Sequence, residues 1–194
     1  DPRAPDVMRG EETQLLGALG LDAAGEAMVC MPGTHSKWVR LNDGTVAHFS
    51  TFMTGELFSV VSRETILSLA VAGAEDAEDV TSFQAAVKAA YEAPAFAANF
   101  LFGARSRQLL FGGTPAAARE TLSGTLIGVE LAAGLSGALP KAGITLIASG
   151  RLAMLYRLAF DTLSVTVNPV DADEAVRRGL SMAAAAIWTK REDF

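Results

Sequence analysis

The 194-residue chain has little of several residue types whose abundance would define a protein class. Cys30 is the only cysteine, so no intrachain disulfide can form, and a reducing cytosol is the expected compartment. Because the chain holds only two histidines beside this cysteine, a Cys/His zinc site is not expected. The apolar neighbours of Cys30 predict a buried, inert thiol.

Basic charge and long apolar runs are also scarce. The 16 Lys and Arg residues against 22 Asp and Glu residues give a net charge of −6, which argues against a nucleic-acid partner. No apolar run approaches the ~18 residues of a membrane-spanning helix, and the basic-then-apolar pattern of a secretory signal is missing at the start. We therefore expect neither nucleic acid nor a membrane as partner.

The stretch that organises the chain runs from Ala27 to Thr51, AMVCMPGTHSKWVRLNDGTVAHFST. An apolar run at 28–30 predicts a buried strand, and Pro32-Gly33 ends it with turn chemistry. Alternation over 38–42, followed by Asn42-Asp43-Gly44, predicts a second strand and a tight hairpin into a third.

The first of these turns is unusually rich in hydrogen-bond donors. Gly33, Thr34, His35, Ser36 and Lys37 place a bare backbone, two hydroxyls, an imidazole and an ammonium side by side. Such donors suit the oxygens of a phosphate group, although an ordinary polar β-turn has the same composition. The residues alone leave both interpretations open.

A short helix is predicted from about Met8 to Gly20, with Glu11 and Glu12 in its first turn. Carboxylates at this position are favoured by the helix dipole whether or not they have a function. The functional alternative is a general base that faces a cleft.

The rest of the chain predicts helices, then a βαβα unit. Thr54 is the expected N-cap of a helix through Ala70, and an acidic solvated turn is expected over 74–79. The later predictions are helices over 82–91, 94–110 and 116–135, a strand over 144–148 and a helix from 150 to about 159. A strand over 165–167, a break at Asn168-Pro169 and a helix over 171–188 complete them. Ligands in such folds bind at the carboxyl ends of strands, where Ser149-Gly150 falls.

Five segments together resemble one known family. They are PDVMRGEETQLLGAL, VCMPGTHSKWV, TFMTGELF, LFGARS and LSGTLIGVEL, and the chain is similar along nearly its whole length to 2-dehydro-3-deoxygalactonokinases. That family belongs to the sugar kinase/actin/Hsp70 ATPase superfamily. The resemblance implies an α/β, ribonuclease-H-like ATPase lobe with a mixed sheet and flanking helices. It also implies ATP-dependent phosphorylation of 2-dehydro-3-deoxy-D-galactonate at its 6-hydroxyl, in galactonate catabolism.

The resemblance assigns roles to the residues singled out above. ATP, with Mg²⁺, would be held by the turn from Gly33 to Lys37 and on its adenosine side by Ser149 and Gly150. No residue of this sequence is assigned as a metal ligand. Glu11 or Glu12 would be the base: the RGE triplet favours Glu11, and the distance to Gly33 favours Glu12, which is slightly preferred of the two. The candidates for contact with the sugar acid are the following: Thr54, Glu56 and Arg105, with Arg107 as a second cation for the substrate carboxylate.

One departure from the superfamily pattern is the absence of its first phosphate loop, an Asp-x-Gly motif on an amino-terminal hairpin. Residues 1–6, with two prolines, resemble a linker. We therefore expect residues 1–194 to be a single α/β domain, the carboxy-terminal lobe of a two-lobe kinase, that folds alone without turnover.

Two other functions stay open at this stage, together with the assembly state. One is a kinase for another 2-keto-3-deoxy sugar acid, and the other is a non-catalytic nucleotide-binding or sensor module of the same fold. A homodimer is among the open assembly states.

Overall fold

The computed structural model describes residues 5–20, 24–74, 78–137, 139–140 and 143–189. Its strands are β1 (Glu26–Met31), β2 (Ser36–Asn42), β3 (Thr45–Phe52), β4 (Ile144–Ile147) and β5 (Val167–Val170). Its helices are α1 (Glu11–Leu19), α2 (Thr54–Glu64), α3 (Ser68–Val71), α4 (Val80–Glu92), α5 (Ala97–Phe111), α6 (Pro115–Gly134), α7 (Gly150–Thr162) and α8 (Ala172–Thr189), with a 3-10 turn at Pro94–Phe96.

The five strands form one mixed sheet in the order β3-β2-β1-β4-β5. β1, β2 and β3 form an antiparallel meander, as the hairpin signals predict, and Asp43-Gly44 with positive φ makes the second turn. β4 and β5 extend the sheet in parallel with β1, because the helices α2 to α6 precede β4 and α7 connects β4 to β5. The predicted α/β class is therefore confirmed.

Alternation along β1 divides the core into two layers. Met28 and Cys30 face the helical layer of α4, α6 and α7, whereas Val29 and Met31 face α1 and α8. Cys30 is fully buried, and this burial, reinforced by the nearby charge of Glu130, raises the pKa of its thiol well above the ordinary value. The prediction of an inert thiol is consistent with this environment.

Close helix packing depends on glycines at two crossings. A Cβ on Gly124 of α6 would lie 2.5 Å from the carbonyl oxygen of Phe83, and one on Gly128 would lie 2.6 Å from that of Val87. α1 crosses α8 in the same way, because a Cβ on Gly17 would lie 1.9 Å from the carbonyl oxygen of Ala175. These glycines set the depth at which each helix lies on its neighbour.

Three sequence-based predictions need correction. Thr54 is the first residue of α2 and not its N-cap, and the predicted helix to Ala70 is divided into α2 and α3 at Thr65. Asn168-Pro169 does not break the last strand but lies within β5, an edge strand, where a proline is tolerated.

Parts of two other predictions fall outside the described residues: the linker-like start at 1–4 and the acidic turn at 75–77. Of the turn's described part, Asp79 caps α4 by accepting a hydrogen bond from the Ser82 N–H. Within the part of the chain that the structure describes, no helix combines the length and apolar character needed to span a membrane.

Candidate active site

Four chain turns meet at one edge of the sheet. Parallel strands β1, β4 and β5 end there, and β3, antiparallel to β2, ends there as well. The edge therefore collects the 32–35 turn after β1 and the starts of α2, α7 and α8. Ligands of open α/β sheets bind at such an edge.

The turn after β1 presents only part of its donor set to solvent. Thr34 and His35 are exposed and Gly33 is half-buried, while Ser36 and Lys37 are buried. Since successive residues of a strand point to opposite faces, β2 directs Ser36 into the α6/α7 layer and Lys37 beneath α1. Direct phosphate contact by these five residues stays a prediction.

Lys37 pairs with Glu11 at the start of α1. Its Nζ lies 3.5 Å from Oε1 of Glu11, and the lysine side chain is only 5% exposed. Burial alone raises the pKa of Glu11, but the backbone N–H groups of Glu11 and Arg9, together with the Lys37 ammonium, bring it below the ordinary value. The carboxylate is therefore ionised at neutral pH.

Glu11 lines an open cleft of about 380 Å³ between α1 and the turn, opposite Gly33, Thr34 and His35. Glu12 does not line this cleft; it is exposed and accepts a hydrogen bond from the Gly10 N–H at 2.6 Å. The geometry thus puts one of the two candidate carboxylates opposite the turn. The role of base stays a prediction for both.

The start of α2 covers the other side of the turn. The Glu56 N–H donates to the Thr34 carbonyl at 3.0 Å, and the Glu56 carboxylate lies 2.6 Å from Nε2 of His35. A Cβ on Gly55 would come within 2.5 Å of the Gly33 carbonyl oxygen, so only glycine permits this contact. Thr54, in turn, points away from solvent towards Glu130.

Ser149 and Gly150 lie at the end of β4, beside β1. The Ser149 hydroxyl donates to Asp171 at 2.8 Å and accepts from the Ala172 N–H at 3.0 Å, so it ties β4 to the start of α8. Gly150 is exposed, has φ +59° and begins α7. Its contact with a nucleotide stays a prediction.

The two candidate arginines of α5 lie elsewhere. Arg105 donates to Gln108 of the same helix, and Arg107 is exposed beside a separate groove between α4, α5 and α6. Neither lines the cleft at Glu11. Contact with the substrate carboxylate stays a prediction.

An apolar cavity of about 150 Å³ opens beside the turn, between α2, α6 and α7. Its wall includes Gly33, Phe58, Leu126 and Leu152, with Arg119 over the Phe58 ring at 5.6 Å. Nη1 of Arg119 is buried and, among the described residues, has no hydrogen-bond partner, although Glu120 lies 3.8 Å away. A bound polar group would supply the missing acceptor.

Sequence reasoning missed two charged residues of α6, Arg119 and Glu130. A signal was present for Glu130, since a lone carboxylate in IGVELAAG is surrounded by apolar and small residues. No comparable signal marks Arg119. Among the residues that the structure describes, no cluster of three or more His, Cys, Asp or Glu side chains could hold a metal ion.

Comparison with known proteins points to one family. A family model described as 2-keto-3-deoxy-galactonokinase matches residues 1–183. A protein of Rhizobium meliloti (strain 1021), named "probable 2-dehydro-3-deoxygalactonokinase DgoK1", is 57% identical over 189 residues, which is 97% of this chain and 62% of that protein. The 2-dehydro-3-deoxygalactonokinase of Escherichia coli (strain K12) is 34% identical over 182 residues, covering 94% of this chain and 61% of the relative.

A solved structure agrees with these relatives. A crystal structure described as a "putative 2-dehydro-3-deoxygalactonokinase protein" from Sinorhizobium meliloti matches with a TM-score of 0.92 and 57% identity, over 97% of this chain and 63% of that one. The chain thus spans about three fifths of the length of the curated relatives it matches.

Proposed function

The chain belongs to the 2-keto-3-deoxy-galactonokinase family, and from this premise we propose that the natural protein containing it phosphorylates 2-dehydro-3-deoxy-D-galactonate. The γ-phosphoryl group of ATP, supplied as its Mg²⁺ complex, goes to the 6-hydroxyl of the sugar acid. The fold we propose is a ribonuclease-H-like ATPase lobe, because the order β3-β2-β1-β4-β5 joins an antiparallel meander to parallel crossovers.

The observation that carries this proposal is the cleft between α1 and the 33–35 turn. It sets an ionised carboxylate, Glu11, opposite an exposed backbone turn in one open space of about 380 Å³. Phosphoryl transfer needs this pair of features: a group that orients and deprotonates the hydroxyl, and donors that stabilise charge on the transferred group. Lys37 holds the carboxylate in place from below.

In the proposed arrangement, the ATP phosphates lie between the 33–35 turn and the start of α7. Free N–H groups at the amino end of this 13-residue helix favour an anion. The apolar cavity next to Gly33 would bind the adenine ring. Nη1 of Arg119, which has no hydrogen-bond acceptor among the described residues, would donate to the nucleotide. The hydrogen-bond donors therefore suit the phosphates of ATP, and the apolar cavity suits its adenine ring.

Glu11 would accept the proton of the 6-hydroxyl as this oxygen attacks the γ-phosphorus and ADP leaves. A positioned base contributes about 10²–10⁴-fold to such a step, so the donors around the phosphates must supply most of the remaining acceleration. Its lowered pKa keeps Glu11 ionised at neutral pH but makes it a weak base, so its contribution depends mainly on where it is held relative to the hydroxyl.

The experiment is an ADP-release assay on the natural protein that contains this chain, with MgATP and a panel of 2-keto-3-deoxy sugar acids. We expect ADP release to depend on the acid and kcat/KM to be highest for the galactonate derivative, with ³¹P NMR showing a 6-phosphate product. A higher kcat/KM for another acid would change the substrate assignment. Absence of stimulation by every acid would refute the kinase proposal.

A further inference from the structure

Glu130 is a charged side chain buried in the interior of the protein. It lies near the end of α6, is 1% exposed, and is surrounded by residues of the α6/α7 core layer. Burial raises the pKa of its carboxyl group. Tyr156 and Cys30 also have raised pKa values, first because they are buried themselves and second because the negative charge of Glu130 is close. Such a position is costly for an acid and calls for a specific set of partners.

The partners come from three different elements. Nε1 of Trp38 in β2 donates to Oε1 at 2.9 Å, the Tyr156 hydroxyl of α7 donates to Oε2 at 2.6 Å, and the Thr54 hydroxyl of α2 donates to Oε2 as well. Because the Tyr156 proton is directed at Glu130, the Ser36 hydroxyl at 3.1 Å donates to the Tyr156 oxygen. The Glu130 carboxylate is thus hydrogen-bonded to β2, α2 and α7 at once.

Two of these partners flank the candidate phosphate turn. Ser36 is the first residue after the turn, and Thr54 is the first residue of the helix that covers it. Two residues further along α2, the Glu56 N–H holds the Thr34 carbonyl, and Gly55 packs on the Gly33 carbonyl. Glu130 therefore fixes the turn from both sides without touching its exposed surface.

Fold stability alone is a weak reason for this arrangement. A well-packed apolar side chain often stabilises a core as well as a buried ionic network does, whereas a network fixes geometry more closely. Donors around a transferred phosphoryl group must be held to within about half an ångström of the productive position.

We propose that Glu130 is a positioning residue for the 33–35 turn, holding Ser36 through Tyr156 and Thr54 directly. Its importance for phosphate binding rests on the proposed kinase function, while its control of the turn does not. The two statements can therefore be tested separately.

The test of turn control is amide hydrogen exchange in the natural protein, without ligand. The variants are Glu130→Gln, which keeps the shape and removes the charge, and Thr54→Val, which removes one donor. Thr125→Val is the matched control, because Thr125 is a buried threonine like Thr54 and lies in α6 like Glu130, but its hydroxyl donates to the Thr121 carbonyl of its own helix. Urea unfolding first establishes the conditions in which every variant is folded.

We expect Glu130→Gln and Thr54→Val to speed exchange of the hydrogen-bonded amides that flank the turn, at 36–38 and 56–57, by ~10-fold or more, as local opening does. Thr125→Val should leave both segments at the wild-type rate. The double variant should open them little further than Glu130→Gln alone, because the two changes break one shared contact. The proposal would be overturned if Glu130→Gln and Thr54→Val exchanged these amides at the same rate as Thr125→Val.

MgATP binding, measured by calorimetry on the same proteins, separates the two claims. Weaker binding by ~10-fold in Glu130→Gln, and unchanged binding in Thr125→Val, would connect the positioning role to the phosphate site. If the wild-type protein binds no MgATP but Glu130→Gln still exchanges faster, the kinase proposal is refuted and Glu130 remains the residue that positions the turn. Unchanged MgATP affinity in Glu130→Gln despite faster exchange would refute its role in phosphate binding.

Discussion

At the scale of single residues, Glu11 and Glu12 show how one helical step separates two identical side chains. Neighbours on a helix point about 100° apart, so only one of them can face the cleft. Glu11 does so and meets Lys37, whereas Glu12 turns back to the Gly10 N–H. Sequence spacing left this choice open, because it depends on how α1 lies against α8.

Replacement of each glutamate by Gln tests the assignment of the base. We expect Glu11→Gln to lower kcat by ~10²-fold or more with KM little changed, since basicity is lost and shape is kept. Glu12→Gln serves as the control and should remain near wild type. The reverse result would assign the role of base to Glu12. If both variants kept wild-type kcat, the next carboxylate to test would be Asp6, which accepts hydrogen bonds from Thr51.

Glu130 predicts a pH dependence of stability. Burial, opposed in part by hydrogen bonds from Thr54, Tyr156 and Trp38, raises its pKa above the ordinary value of 4.5. Since the folded state then holds this proton more tightly than the unfolded state, the stability contributed by Glu130 is full below that value. It is lost as the pH rises through the folded-state pKa.

Urea unfolding of wild type and Glu130→Gln between about pH 4 and about pH 8 measures this effect, because the difference between the two proteins isolates one group. The free energy of unfolding of the wild type, relative to the variant, should fall with rising pH. A difference that is constant or rises with pH would show that Glu130 is not a group of raised pKa.

At the scale of elements, the contact between α2 and the turn decides the shape of the site. Gly55→Ala would bring a Cβ to 2.5 Å from the Gly33 carbonyl oxygen and 2.9 Å from Cα of Thr34, and both of these are backbone atoms. We expect weaker MgATP binding by ~10-fold or more and a lower Tm, because the turn must move.

Gly103→Ala is the matched control for this prediction. Gly103 lies inside α5 with nothing within 4 Å of a built Cβ, so alanine should be neutral or stabilise the helix by up to ~1 kcal/mol. Calorimetric titration and thermal melting of both variants give the comparison. Equal MgATP affinity in Gly55→Ala and wild type would show that the contact of α2 with the turn does not affect the proposed phosphate site.

The elements that the sequence predicts well are those with strong local signals. The hairpin at Asp43-Gly44 follows from local backbone requirements, and it is confirmed. Thr54 was misjudged as an N-cap because local capping rules do not include a partner 76 residues away in the chain, Glu130. Pro169 was misjudged because only the sheet order shows that β5 is an edge.

At the scale of the whole molecule, the sheet brings distant turns to one edge, and the sequence indicates this in outline. Pro32-Gly33 and Ser149-Gly150 were both predicted at strand ends, and β1 and β4 prove to be parallel neighbours. What the sequence did not indicate is the burial of Ser36 and Lys37, which follows from α1 and α6 lying on opposite faces of β2. The burial of Arg119 and the apolar cavity likewise could not be predicted, because they are formed where α2, α6 and α7 pack together in the folded protein.

The most direct measurement is a crystal structure of the natural protein that contains this chain, bound to Mg²⁺ and a non-hydrolysable ATP analogue. We predict phosphate oxygens within hydrogen-bond distance of the backbone N–H groups at 33–35 and the adenine ring in the cavity beside Phe58 and Leu152. Glu11 should face the γ-phosphate across the cleft. Phosphates bound away from this sheet edge, with the 33–35 turn in contact with solvent alone, would contradict the account.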